Sequence, residues 1–145
     1  MIRTTETLAV VVDVLLKYRP HHIIYDPIVT ASNGDRLLSD DVITQIRCRL
    51  LPLCSLVILR EGETEKIFNS PSLKGKKETD VCTYVLDDPL QHGLANSFSS
   101  SLAVYLSQDE PMEQAIKHAR EYVRTLITRK SDINGRSSQL YYEFL

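Results

Sequence analysis

HIIYDPIVTASNGDRLLSDDVITQIRCRLLPLCSLVIL, residues 22–59, holds a complete strand, helix and strand. His22-Ile23-Ile24-Tyr25 is a short run of β-formers stopped by Asp26-Pro27, and Ser32-Asn33-Gly34-Asp35 is a strong turn signal. Ser39 then caps a helix that carries Asp40 and Asp41 in its first turn, where the positive end of the helix dipole favours them. Val42, Ile43, Ile46 and Leu50 form the apolar stripe of that helix until Pro52, and Leu56 to Leu59 follows as a buried type of strand. A strand, a crossover helix and a second strand require a parallel pair with helical cover, so the fold class is α/β.

The flanking sequence extends this pattern. Leu8, Val11, Val12, Leu15 and Leu16 recur at helical spacing, Thr4 or Thr5 caps their helix, and Pro20 ends it, which predicts a helix over Thr5 to Tyr18. Glu61 to Phe68 reads as a short helix, the polar run through Lys74-Gly75-Lys76-Lys77 as a surface loop, and Val81 to Leu86 as a third strand. Phe98, Leu102, Tyr105 and Leu106 mark a fourth helix. Met112, Ile116, Ala119, Val123, Leu126 and Ile127 mark a fifth, with Pro111 suited to its first turn. Periodicity is lost from Arg129 until Leu140-Tyr141-Tyr142, read as a loop and a short docking segment. Three parallel strands make a small sheet, which is expected to leave one side uncovered.

Composition narrows the function classes. The chain has 145 residues, 43% hydrophobic and 25% charged, which suits one packed globular domain. With 17 basic and 19 acidic residues the net charge is -2, so neither nucleic acid nor an anionic membrane is an expected partner. The run from Leu8 to Leu16 is broken by Asp13 and is far shorter than a span of about 20 residues. No secretory signal is read at the N-terminus, so the expected location is the cytoplasm. Cys48, Cys54 and Cys82 show no paired spacing and are expected to be reduced packing residues. His21-His22 lacks a third ligand at metal spacing. Ser99-Ser100-Ser101 lacks the elbow of a serine nucleophile and reads as helix packing.

Two separated segments carry a family resemblance. Asp26-Pro27-Ile28-Val29, the turn at Ser32-Asn33-Gly34, and the helix closing in Leu50-Leu51-Pro52-Leu53 resemble the centre of the hydroxymethylpyrimidine/phosphomethylpyrimidine kinases of thiamine synthesis. Gln91-His92-Gly93, the helix through Ser97-Phe98-Ser99 to Leu106, and Pro111-Met112-Glu113-Gln114-Ala115 resemble the family's C-terminal part, in the same order. The resemblance implies a ribokinase-like, three-layer α/β fold with an incomplete, mostly parallel sheet over residues 1–145 as one partial domain. It implies ATP and magnesium as cofactors and a small pyrimidine as substrate. The family's glycine-rich N-terminal segment has no counterpart, and Met1 falls where the family has an internal Met, so the chain resembles a protein shortened at its N-terminus.

Site residues follow from the resemblance. The family's Gly-Thr-Gly-Cys anion turn aligns with Gly93-Leu94-Ala95-Asn96, which places Asn96 at the position of the catalytic Cys. An amide is no base near neutral pH, and Ala95 in place of Gly is expected to strain any positive-φ turn. The segment therefore reads either as a weakened phosphate turn or as a capped helix start. Asp26 faces the nucleotide and metal region by resemblance, or is a turn residue bonding its own backbone. Lys74 is matched to a nucleotide phosphate contact or is simply a solvated lysine. The Asn of the family's magnesium motif has no counterpart, which leaves Glu63 or Glu65 as the carboxylate.

These readings imply an ATP-dependent hydroxymethylpyrimidine or phosphomethylpyrimidine kinase-like protein. The competing readings are a non-catalytic, self-associating binding or scaffold homologue, and a gene fragment. A homodimer is expected, with Leu8, Val12 and Leu15 of the first helix facing the partner.

Overall fold

The computed structural model describes residues 1–31, 33–60, 63–68, 82–86 and 94–132. The elements are α1 (Thr5–Tyr18), β1 (Ile24–Tyr25), α2 (Asp40–Gln45), β2 (Leu56–Arg60), α3 (Glu63–Phe68), β3 (Cys82–Leu86), α4 (Leu94–Ser107) and α5 (Met112–Asp132). They fall into two compact units, Met1–Asp87 and Asp88–Leu145. Among the described residues no helix is long and apolar enough to cross a membrane.

In the first unit the three strands are parallel in the order β1-β2-β3. Ile24 is level with Leu56, and Leu56 in turn with Cys82. Sequential order with parallel pairing forces each connection to cross over the sheet, and helices supply those crossovers. Leu56, Val57, Ile58 and Leu59 of β2 are all 0% exposed. Val57 and Leu59 join Leu8 and Val12 of α1, Val42 and Ile43 of α2, and Ile67 of α3 in one core. Leu56 and Ile58 point to the opposite face and are equally buried. The expected uncovered side is therefore not found at the central strand.

Local chemistry sets the helix ends. Thr4 caps α1 by accepting from the Thr7 N–H at 3.2 Å. Arg19 closes it in the left-handed region at φ 46, donating its N–H to the Leu15 carbonyl at 2.9 Å. Pro20 bars the residue before it from continuing the helix. Ser39 caps α2 as expected. The stripe Val42, Ile43, Ile46 and Leu50 is buried, but α2 gives way to a π turn at Ile46–Leu50 and a 3-10 turn at Leu51–Leu53. Pro52 lies inside that last turn.

Two expectations are corrected here. Leu8 and Val12 are 0% and 4% exposed and serve the unit's own core, so they do not face a partner. The exposed apolar residues of α1 are Val10, Val14, Leu16 and Tyr18. Cys54 is buried and free as expected, but Cys48 is exposed on the π turn and does not pack.

In the second unit α4 packs against α5. Ala95, Phe98, Leu102 and Leu106 are buried on α4, and Ala115, Ala119 and Val123 on α5. The small alanines at one-turn spacing let the helices approach closely. Pro111 stands just ahead of α5 and accepts from the Ala115 N–H at 2.9 Å. Asp109 takes the left-handed conformation at φ 60 in the connecting turn. Glu110 and His118 Nδ1 are 2.8 Å apart across it, with the His118 ring 5.3 Å from that of Tyr105. Ser99 and Ser101 donate to the carbonyls of Asn96 and Phe98, so their hydroxyls are satisfied within α4. The docking segment expected at Leu140-Tyr141-Tyr142 lies outside the described residues.

The burial pattern of α1 is testable. Leu8→Ala should destabilise the chain by about 2–5 kcal/mol, as expected for a methyl-lined cavity left in a packed core. Val10→Ala on the exposed side should change stability by less than about 1 kcal/mol in dilute solution. Urea denaturation of both variants checks this, and equal losses would contradict the orientation of α1.

Candidate functional site

Parallel strands direct all their carboxyl ends to one edge, where α/β sheets bind ligands. Asp26 follows β1 at that edge, and Glu63 opens α3 shortly after β2. Between Asp26 and α2 the chain makes a small hairpin. Thr30 bridges antiparallel to Arg36, and the Leu37 N–H donates to the Val29 carbonyl at 2.9 Å. Gly34 takes φ 90 at its tip, a conformation in which other residues are strained.

Glu63 ties this hairpin to α3. Its carboxylate is buried, the residue being 5% exposed, and Oε1 accepts from the Val29 N–H at 3.3 Å. One helical turn along, Lys66 Nζ donates to Thr30 Oγ1 at 2.7 Å. The far end of α3 is held by Arg47, whose Nε donates to the Ile67 carbonyl at 2.9 Å. Three bonds, two from the hairpin and one from the π turn, therefore fix α3 beside the loop that carries Asp26, whose Oδ1 is fully buried. Glu65 is exposed, so of the two candidate carboxylates only Glu63 faces inward.

The surroundings are apolar and negative. Burial, followed by the charges of Cys54, Glu63 and Asp26, raises the Tyr25 phenol well above its ordinary value. Burial likewise pushes the Cys54 thiol up to about 11, and its Sγ lies 3.3 Å from the Leu50 carbonyl. Both groups stay protonated near neutral pH, and neither is an available nucleophile.

In the second unit, the residues aligned with the anion turn are helical. Leu94, Ala95 and Asn96 are the first three residues of α4. Ala95 is not among the positive-φ residues of the described chain, so its Cβ imposes no strain there. Helix geometry leaves the N–H groups of the first turn without intrahelical acceptors, and such a turn suits an anion. Asn96 is exposed. It borders a groove of about 550 Å³ that also includes Ser97, Ser100, Val104, Gln108 and Tyr122. This groove was missed in the sequence because serines and amides on a helix carry no motif. The Glu63 to Val29 and Lys66 to Thr30 ties were missed because they join positions 34 and 36 residues apart. Lys74 and Gly93 lie outside the described residues.

Among the described residues no three His, Cys, Asp or Glu side chains gather as a metal site. Asp26 and Glu63 are of the donor type that magnesium takes, since one or two carboxylates suffice where water and phosphate oxygens complete the shell.

The parallel sheet with its crossover helices defines an α/β protein. The chain is similar to the crystal structure of phosphomethylpyrimidine kinase from Clostridium difficile, with a TM-score of 0.71 and 18% identity over 88% of this chain and 66% of that one. It is also similar to pyridoxal kinase from Bacillus subtilis in complex with ADP, with a TM-score of 0.68 and 15% identity over 88% of this chain and 62% of that one. The phosphomethylpyrimidine kinase family model matches residues 1–82 and 59–140, and the chain belongs to that family. The thiamine biosynthesis bifunctional protein ThiED of Geobacter sulfurreducens is 23% identical over 88% of this chain and 34% of its own length. The hydroxymethylpyrimidine/phosphomethylpyrimidine kinase of Escherichia coli is 28% identical over 54% of this chain and 29% of its own length. The chain thus spans about a third of these relatives.

Two outcomes test the site. Glu63→Ala should cost about 1–3 kcal/mol by leaving the buried Val29 N–H unsatisfied, whereas Glu65→Ala should cost less than about 0.5 kcal/mol. Second, the unfolded chain releases the Cys54 and Tyr25 protons at lower pH than the folded chain does, so stability falls as pH rises. The decline should begin near the ordinary thiol value of 9.0 and continue through about 11, with the phenol adding to it above 10.0. Cys54→Ala should flatten its first part. Urea midpoints followed between about pH 8 and about pH 11 give the readout, and an unchanged alkaline limb in that variant would contradict the assignment.

Proposed function

We propose that the chain is a phosphomethylpyrimidine kinase-like domain of the thiamine biosynthesis type, handling ATP and a small pyrimidine or its phosphate. The observation that carries this reading is the family match over both parts of the chain, with Asp26 and Glu63 at the carboxyl edge of the sheet. In this reading Asp26 and Glu63 of the first unit are the candidate magnesium ligands, and the first-turn N–H groups of Leu94, Ala95 and Asn96, taken within the second unit by itself, are candidate phosphate donors. Magnesium, when bound, would neutralise charge on the transferring phosphoryl group. The chain's own residues contribute position and hydrogen bonds. Glu63 also accepts from Val29, so it spends part of its acceptor capacity on holding the loop. Asn96 can orient an acceptor hydroxyl by hydrogen bonding but cannot remove its proton.

A second reading is a non-catalytic homologue that associates with itself. It is favoured by the amide at the catalytic position and by the apolar residues left exposed on α1. Both readings suit a protein working in the cytoplasm without nucleic acid or membrane.

Titration calorimetry with magnesium and ATP should give a dissociation constant of about 1 mM or weaker, near -4 kcal/mol. Asp26→Asn should weaken binding further. A micromolar constant would show that the remaining groups suffice for tight binding. Release of ADP that depends on hydroxymethylpyrimidine supports the kinase reading, and no turnover at high protein concentration leaves the second reading. The triple change Leu94→Thr, Ala95→Gly and Asn96→Cys restores the family's turn, and it should not by itself produce turnover.

A further inference from the structure

The base of the hairpin after β1 gathers hydrogen-bond donors on one face. The Leu37 N–H donates to the Val29 carbonyl at 2.9 Å, and the Ala31 N–H to the Asp35 carbonyl at 2.8 Å. These bonds flank the bridge between Thr30 and Arg36, which are therefore a non-hydrogen-bonded antiparallel pair. The side chains of such a pair leave the same face, with Cβ atoms about 4.5–5.5 Å apart. Lys66 reaches that face from α3, its Nζ donating to Thr30 Oγ1 at 2.7 Å. A hydroxyl that accepts from an ammonium keeps its own proton to donate, and the ammonium keeps two more. Arg36 gives one Nη2 bond to Asp40 and retains further N–H groups on its guanidinium. Lys66, Arg36 and Asp40 are all exposed.

The nearby carboxylates leave this face positive. Asp40 meets one of the two cations, and an exposed pair of that kind contributes little. Strand alternation turns Asp35 to the other face of the hairpin, where it bonds to Asn33. Glu63 is buried and accepts from Val29. Glu65 precedes Lys66 on α3, and adjacent helix residues do not face each other.

We propose that Thr30, Arg36 and Lys66 form a binding site for a phosphoryl oxyanion, carried as free phosphate or as a phosphate ester. The groups left unspent on this face are donors, and two of them bear full positive charge, so the ligand is a negatively charged acceptor. A guanidinium fork and a compact ammonium are the two cations that bind phosphate oxygens well. The donors come from both strands of the hairpin and from α3, which suits a tetrahedral group better than the two coplanar oxygens of a carboxylate. Glu63 holds Val29 beside Thr30, so hairpin and α3 are joined before any ligand arrives. The site rests on these donors of the first unit and not on the kinase reading, and it requires no turnover.

Backbone amide NMR of the full chain, titrated with inorganic phosphate at constant ionic strength, tests the proposal. Saturable shifts should centre on Thr30, Arg36 and Lys66, with a dissociation constant of about 1–10 mM. Sulfate, a dianion of the same shape, should compete, and acetate should not. Lys66→Gln and Arg36→Gln should each raise the constant at least about fivefold, and Thr30→Val, which keeps the shape and loses the hydroxyl, at least about twofold. Asp40→Asn removes the competing carboxylate and should lower the constant about twofold, a gain that loss of folding could not produce. Displacement of inorganic phosphate by phenyl phosphate assigns an ester as the carrier, and binding of inorganic phosphate without such displacement assigns the free ion. Absence of saturable shifts at these residues up to about 50 mM phosphate overturns the proposal. So does a constant that Lys66→Gln and Arg36→Gln leave unchanged, or competition by acetate equal to that by sulfate.

Discussion

Burial of β2 is the constraint on which the rest of the first unit depends. Four successive residues, Leu56 to Leu59, are wholly removed from solvent, and alternate side chains of a strand point to opposite faces. Such a strand is stable only as the centre of a sheet covered on both sides, with neighbours pairing along both edges. Parallel pairing then brings the ends of β1 and β2 to the same edge. Asp26 and Glu63 arrive there from separate elements as a consequence of sheet topology.

Glu63 links that topology to the site. Its buried carboxylate is held by a backbone N–H from the loop after β1, and Lys66 reaches the same loop through Thr30. A polar group this far from water is retained only when it is hydrogen-bonded, and removing the bond leaves a costly unsatisfied group. Fold and site are therefore coupled through the same side chain. At the start of α4, by contrast, the chain has settled into ordinary helix where the family places its Gly-Thr-Gly-Cys turn. What the helix supplies there is a first turn of N–H groups without intrahelical acceptors, with the exposed amide of Asn96 among its residues.

Much of this architecture was legible in the sequence, for identifiable reasons. α1 runs from Thr5 to Tyr18 as its cap, periodicity and Pro20 require, and the strand at Leu56 was marked by its unbroken apolar run. The π and 3-10 turns after α2 were not legible, because a stripe at helical spacing looks the same whether the backbone closes tighter or wider rings. The orientation of α1 was misjudged for a similar reason: nearly all of its face is apolar, so composition alone could not distinguish Leu8 and Val12 from Val10 and Val14. In the site, Asp26 was marked by its place after a strand. The burial of Glu63 was not, since its partner at Val29 is a backbone group with no sequence signature.

The central proposal is that the carboxyl edge of the first unit's sheet, at Asp26 and Glu63, receives the magnesium nucleotide. Backbone amide NMR of the whole chain, titrated with the magnesium complex of a non-hydrolysable ATP analogue, addresses it residue by residue. The account predicts shifts grouped at Asp26 to Thr30 and at Glu63 to Lys66, with the exposed face of α1 unchanged. Shifts confined to other surfaces would contradict it.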